Sequence, residues 1–411
     1  MTGPHEPLDE PSFATALIER IVRECPRRQA GSPSERRAQR IAVDTLRELG
    51  VTIEEHPFRF SDNLYAVMAL HFGMGVLGTL VGGVAPLAGA ALRGVAAGSY
   101  LADSARAGYL LRRLLKQVDS QNLVATLPAT TGEPRLRIVF LAHADAAFTG
   151  WVFDPRVIER LGPAALPPSL RFMGRSLAVA TVAEAIGATL ALVRAAFGPV
   201  GGFLRPAELL LAIPGLIAFL LNLQVVLRNE VVPGATDDLS GVAGVSLLAR
   251  RLAATKRPDV ELVFVFTGAE EAGTGGAYSL ARDRRQAWDP ANTLIIGLDG
   301  LSNGELCWLD EGEIVRAPLP AWLDGALRRV ATGPFAGVAP FDVVVGATDV
   351  YPFRRQGYDG VCIGCVDRSL GAPRHYHVPT DTPQNVDPAD ITRAVDFAEA
   401  LVGEVVRERL G

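Results

Sequence analysis

Two long apolar blocks lie inside this chain rather than at either end, and any fold has to find a place for them. The first holds Leu64 to Val81, apolar apart from His71 and Thr79, and Val84 to Leu101, which is richer in Ala and Gly and carries Arg93. The second holds Leu177 to Phe197, with Glu184 and Arg194, and Leu209 to Leu227, with Pro214, Asn222 and Gln224. Each is about as long as a helix that crosses a bilayer, so the pattern predicts two hairpins of two spans each in contact with lipid. Helices buried in a large core or a dimer interface are also apolar all round, and that is the alternative. Charged residues make up only 21% of the chain, against about 25% in soluble proteins, which leaves apolar surface to be covered.

Outside these blocks the sequence alternates strands with helices. Ser12 to Arg23 and Ser34 to Leu49 have helical periodicity, with Ser32 or Ser34 as N-cap and Gly50 as stop. Val51 to Phe60 reads as an edge strand, and Asn122 to Leu127 and Leu136 to Ala142 as further strands. After Val231 come a helix over Asp238 to Ala254, strands at Val260 to Phe266 and Thr293 to Leu298, and a helix at Ala321 to Ala331. A strand near Val343, another at Gly360 to Val366 and a closing helix at Pro388 to Arg407 complete the reading. This predicts an α/β fold, a mostly parallel mixed sheet flanked by helices, with two inserted apolar helical hairpins. The expected division is 1–60, 119–170 and 229–411 for one catalytic domain, with hairpin insertions at 61–118 and 171–228.

A net charge of -5 shows no general basic excess, so nucleic acid is excluded as an expected partner. Cys25, Cys307, Cys362 and Cys365 are too few and too scattered for a disulfide framework. The Cys362 and Cys365 pair sits in a β-branched run and reads as small core residues. Met1 to Arg20 is polar with no apolar stretch, so no cleavable signal peptide is expected.

Five polar islands each follow an apolar run: His143-Ala-Asp145, Gly234-Ala-Thr-Asp237-Asp238, Glu270-Glu271, Asp299 and His377. In an open α/β sheet, ligands gather at the carboxyl ends of the strands, where His143, Asp145, Glu270, Glu271 and Asp299 are expected. Asp237 stands just before a helix, where its carboxylate meets a favourable dipole. Imidazoles and carboxylates suit zinc, cobalt or manganese, and a carboxylate set between two ions can bridge them. Adjacent Glu270 and Glu271 cannot easily do the same job, so one binds metal and the other acts as base. Asp145, two residues beyond His143, is placed to orient that imidazole.

In order, His-x-Asp, Gly-Ala-x-Asp-Asp-x-x-Gly, Glu-Glu-x-Gly, Leu-Asp and Tyr-His-x-x-x-Asp-Thr resemble the two-zinc exopeptidases of metallopeptidase family 28, over roughly 119–150 and 229–411. The family includes aminopeptidases and, more distantly, glutamate carboxypeptidases and glutaminyl cyclases. The resemblance implies the zinc-exopeptidase type of fold, a peptide substrate and two divalent ions, zinc foremost. It implies that His143 and Asp299 bind one ion, Glu271 and His377 the other, and that Asp237 bridges them. Glu270 becomes the general base and acid, with Asp145 behind His143. His375 competes with His377, since residues two apart in an extended segment share a face; the register to Asp381-Thr382 selects His377. Asp349, in Ala-Thr-Asp-Val-Tyr-Pro-Phe, is expected to shape the site.

The stretch between Asp145 and Asp237, commonly short in the family, is expanded here, which bears on localisation and substrate. A related amidohydrolase of the acylase and carboxypeptidase kind, and an inactive membrane scaffold derived from a peptidase, are the competing readings. Basic flanks Arg59, Arg112, Arg113, Lys116, Arg171, Arg175 and Arg228 predict a cytoplasmic catalytic side.

Overall fold

In a computed structural model, which describes residues 8–157 and 174–411, the chain opens with two amphipathic helices. Helix α1 (Glu10–Glu24) is capped by Asp9, whose carboxylate accepts the Ser12 N–H at 2.9 Å. Helix α2 (Pro33–Asp44) is capped by Ser32, and Gly50 ends the following turn at φ 73°, a left-handed conformation that favours glycine. Strand β1 (Thr52–Ser61) leads into α3 (Leu64–Val81) and α4 (Pro86–Ser104). Strands β2 (Gln117–Leu127) and β3 (Leu136–His143) precede the second apolar block, which forms α5 (Ser176–Phe197), α6 (Arg205–Leu211) and α7 (Ile213–Arg228). Pro214 near the start of α7 lacks the N–H that would carry the helix straight through from α6.

The remaining elements are α8 (Gly241–Thr255), β4 (Val260–Thr267), α9 (Gly275–Arg284), β5 (Thr293–Leu298), β6 (Glu305–Asp310), α10 (Ala321–Val330), β7 (Ala339–Asp342), α11 (Val350–Arg355), β8 (Asp359–Val366) and α12 (Pro388–Leu410). The eight strands form one sheet in the order β1-β2-β4-β3-β5-β8-β6-β7. Pairings in the centre, β4 with β3, β3 with β5 and β5 with β8, are parallel, while β1-β2, β2-β4 and β6-β8 are antiparallel. The expected α/β class with a mixed, helix-flanked sheet is thus the observed one.

Alternation along β3 serves both faces. Ile138, Phe140 and Ala142 join the core under α1, α2, α8 and α12, while Val139 and Leu141 join the smaller core under α9 and α11. Such double burial is what makes central parallel strands continuously apolar. Cys362 and Cys365 on β8 fall into these two different cores and are free and buried, as are Cys25 and Cys307.

Three details differ from the sequence reading. Regular helix begins at Gly241 rather than Asp238, because Asp237 and Asp238 have non-helical backbone angles. The strand expected around Val343 lies one step earlier, at Ala339–Asp342. His375 and His377 do not lie in an extended segment: both have positive φ, 67° and 54°.

The apolar helices form their own bundle, α3 packing on α4 and α7, and α5 on the same two. At its centre Arg93 of α4 pairs with Glu184 of α5 at 2.7 Å, each side chain 1% exposed. Room for this pair comes from glycines on three helices. A Cβ at Gly75 or Gly215 would meet Glu184, and one at Gly187 would meet Arg93, all at 2.7 Å or less. The outward faces carry uncovered Leu80, Leu87, Ile217 and Leu220. Leu64–Val81, Ser176–Phe197 and Val200–Arg228 are long and apolar enough to cross a membrane. Arg171, one of the basic flank residues, lies outside the described residues.

Candidate metal centre

Strand ends deliver most of the chemistry. His143 closes β3, Glu270 and Glu271 follow β4, and Asp299 follows β5 with its N–H bonded to Ile363 O on β8. Asp237 enters from the turn before α8, and His377 from the loop before α12.

The two carboxylate oxygens of Asp237 face two imidazoles. Oδ1 is 3.0 Å from His143 Nε2, and Oδ2 is 3.1 Å from His377 Nε2. His377 Nε2 is also 3.3 Å from Glu271 Oε1, yet that oxygen has no hydrogen-bonding geometry to any partner. His143, Asp237 and Glu271 each offer a ligand atom within 4.8 Å of the others, as do His143, Asp238 and Asp299. Glu270 Oε2 stands 3.9 Å from His143 Nε2. His375 is outside this group, partly exposed and bonded to Thr380 Oγ1 at 2.8 Å.

Beneath these side chains lies a layer of buried carboxylates that hold backbone. Asp145 Oδ1 and Oδ2 accept the N–H groups of Glu270 and Glu271 at 3.1 and 3.0 Å, while its backbone carbonyl meets His143 Nδ1 at 3.2 Å. Asp145 therefore fixes the loop that presents both glutamates as well as sitting behind the imidazole. Asp238 accepts the N–H groups of His143, Gly241 and Gly300, which ties β3, α8 and the end of β5 together. Asp381 accepts those of Thr236 and Asp237 at 2.7 and 3.2 Å. Asp349 is buried and bonded to Thr267 at the end of β4.

Carboxylates dominate the cluster electrostatically. Burial, with neighbouring Asp349 and Glu271, pushes the Glu270 carboxyl well above the usual carboxylate range, and burial with the Asp237 charge pushes Asp299 up to about 8. Burial would lower His377, but Glu271 and Asp237 outweigh it and hold the imidazole at about 10. Among the described residues no Lys or Arg pairs with Asp237, Glu270, Glu271 or Asp299. Imidazole and carboxylate groups converging in a carboxylate-rich cluster, with Glu271 Oε1 left without a hydrogen bond among the described residues, fit divalent cations.

Sequence reasoning missed the aromatic wall around His377. Tyr65, on the first turn of α3, places its hydroxyl 3.1 Å from His377 Nδ1. Phe153 meets the imidazole edge-on at 4.6 Å, and Tyr376 stacks on it at 3.8 Å. Tyr65 sits at the head of an apolar run, and only the fold, which brings the first turn of α3 to the His377 loop, reveals its partner.

A mixed sheet flanked by helices, with buried His, Asp and Glu converging at its strand ends, has the architecture of a zinc exopeptidase. Residues 224–402 match the sequence model of Peptidase family M28, which bears out the resemblance read from the motifs. Among solved structures, an aminopeptidase from Aneurinibacillus sp. strain AM-1 is 16% identical with a TM-score of 0.55, the likeness covering 95% of this chain and 93% of that one. A zinc aminopeptidase from Bacillus subtilis is 14% identical with a TM-score of 0.57, over 98% and 96% of the two chains. Porphyromonas gingivalis glutaminyl cyclase is 13% identical with a TM-score of 0.53, over 96% and 98%. No curated protein matches by sequence. The structural likenesses show the fold, and the family match adds support for a metallopeptidase.

Proposed function

We propose that this chain is a membrane-embedded, metal-dependent exopeptidase, an aminopeptidase that hydrolyses the N-terminal bond of a peptide. The observation that carries the reading is the place of Asp237 between His143 and His377, one carboxylate oxygen to each. His143 and Asp299 would hold one zinc, Glu271 and His377 the other, with Asp237 shared. When bound, such ions supply Lewis acidity toward a carbonyl and toward water.

The chain's own residues do the rest. Glu270, whose Oε2 stands 3.9 Å from His143 Nε2, is placed to take a proton from the attacking water and pass it to the leaving amine. Asp145 keeps Glu270 and Glu271 at fixed height by holding both of their backbone N–H groups. Asp238 and Asp381 lock the turn that carries Asp237. The deciding assay compares an aminoacyl anilide with its N-acetylated form. Cleavage of the free amine alone is expected, whereas equal cleavage of both, or release from the carboxyl end, points to a carboxypeptidase or deacylase. Likeness to a glutaminyl cyclase favours a second reading, a cyclase-type site, and a single ion at saturation would select it.

For the apolar bundle we propose four spans. Strands β1 and β2 pair along their whole length, from Thr52 with Thr126 to Ser61 with Gln117, so the α3-α4 insertion between them must leave and return to one side. The second insertion obeys the same rule, because Phe148 bridges Val231 and the Thr149 N–H donates to the Glu230 carbonyl, so the chain leaves for α5 to α7 and returns at one place. Any crossing by α3 therefore requires one by α4. At the far end Arg194 and Arg205 are both paired with Glu208, whereas the basic flanks lie at the catalytic end, which favours a cytoplasmic active site.

A further inference from the structure

The segment Tyr109 to Leu115 joins the end of α4 to β2, and so lies at the junction between the apolar bundle and the catalytic sheet. Between this segment, β1 and α9 opens a cleft of about 240 Å³ that the chemistry above does not use. Its lining includes four guanidinium groups, those of Arg59, Arg112, Arg113 and Arg282, together with Phe60 and Tyr109, and no carboxylate among the described residues.

Charges from every element around the cleft are unevenly balanced. Arg112 is buried and bonded twice to Asp103 of α4, at 2.8 and 2.7 Å, and to the Ser61 hydroxyl. Arg282 is paired with its neighbour Asp283, which also meets His56. Among the described residues Arg59 has only a distant contact with the Asp119 carboxylate, at 3.9 Å, and both of those side chains are largely exposed. Lys116 is committed to Asp62. Arg113 is exposed and pairs with no carboxylate among the described residues. The cleft therefore carries uncompensated positive charge.

Two further observations define what it would take. The Tyr109 ring is fixed against Phe60 and Tyr278, with centroids 5.3 and 4.8 Å away, yet its hydroxyl is buried with no hydrogen-bond partner among the described residues. A buried hydroxyl without a partner costs free energy unless a ligand satisfies it. On the same segment Leu110 and Leu114 are 61% and 75% exposed, apolar side chains beside a basic cleft at the end of an apolar bundle. The volume is below that of a typical pocket for a drug-sized molecule, roughly 300 Å³ or more, and suits a small anionic head with its tail outside.

We propose that this cleft binds the phosphodiester headgroup of an anionic phospholipid, with Arg59, Arg113 and the Tyr109 hydroxyl on the phosphate and Leu110 and Leu114 against the acyl chains. The site rests on the reading that the bundle spans a membrane. Basic residues grouped just outside a span draw anionic lipid in this way. Arg112 links the site to the metal centre, since it also donates to the carbonyl of Ala272, next to Glu271.

The test uses the full chain in neutral detergent, with dihexanoyl phosphatidylglycerol, dihexanoyl phosphatidylcholine and inorganic phosphate as separate probes, and binding read by native mass spectrometry. Phosphatidylglycerol should bind on the order of ten-fold more tightly than phosphatidylcholine, and the double variant Arg59→Gln, Arg113→Gln should lose that preference. Tyr109→Phe should weaken phosphatidylglycerol, and whatever phosphatidylcholine binds, since both carry the phosphodiester that the hydroxyl meets. Unchanged metal content in the variants confirms that they fold. Equal binding of the two lipids, retention of the preference by the double variant, or inorganic phosphate binding as well as phosphatidylglycerol each overturns the proposal. Short-chain lipid is presented in solution, so the outcome does not depend on spanning. Extraction of the chain from membranes by carbonate, with the preference intact, would remove the four-span reading and leave the headgroup site.

Discussion

The Tyr65 hydroxyl lies 3.1 Å from Nδ1 of His377, so the first turn of an apolar helix touches an imidazole whose other nitrogen faces Asp237 and Glu271. Partners on the far nitrogen set the tautomer and orientation of a ligating histidine. Tyr65→Phe is therefore expected to weaken zinc binding by about ten-fold or more, the usual effect of losing such a partner. Competition with a chromophoric chelator measures it. Unchanged affinity would reduce Tyr65 to a packing residue.

Glu270→Gln separates binding from chemistry. The amide keeps the size of the side chain and spares the hydrogen bonds that Asp145 makes to the loop backbone. Metal content should stay at the wild-type level while turnover falls by at least about a hundred-fold, a common value for a placed proton-transfer group. Turnover near wild type would assign the base elsewhere.

Asp237→Ala and Glu271→Ala should behave in the opposite way, losing metal first. Elemental analysis of the wild-type chain should give two divalent ions, and a chelator should abolish activity. Retention of both ions by Asp237→Ala would show that its carboxylate is not shared between them.

Much of this cluster was legible in the sequence because its candidate ligands sit where apolar runs stop. Strand Thr293–Leu298 places Asp299 at its end as expected. Strand β6 was not read, because Glu305–Asp310 is short and bounded by charges at both ends. Helix α9 was hidden by its Gly275-Gly276 opening, a poor helix start by propensity that is needed because a Cβ at Gly276 would come within 2.2 Å of the Asn122 side chain. The late start of α8 has a related cause, since Asp238 spends its carboxylate on three backbone N–H groups from separate elements. Tyr65 escaped because an apolar span gives no sign of which end residue meets a distant site.

Inside the bundle, Arg93→Met leaves Glu184 buried beside Gly75 and Gly215 with its charge uncompensated. A loss of about 3–5 kcal/mol is expected for breaking a buried pair from one side. Adding Glu184→Met should recover most of it, since paired apolar replacements are often neutral. Unfolding in mixed micelles with increasing dodecyl sulfate reads both. Equal stability of Arg93→Met and wild type would mean that water reaches the pair.

Topology is the last and widest test. The pairing of β1 with β2 and the bridge of Phe148 with Val231 require an even number of crossings in each insertion, and the basic residues gather at the catalytic end. A reporter active only outside the cytoplasm should therefore work when fused near Gly201, in the far turn between α5 and α6, and stay silent after Gly411. The opposite pattern would place the metal centre outside the cytoplasm with the four spans kept. Activity at both positions would put the bundle tip on the same side as α12, which ends at Leu410 and packs on the same core as β3, and so would rule out spanning while leaving the sheet intact.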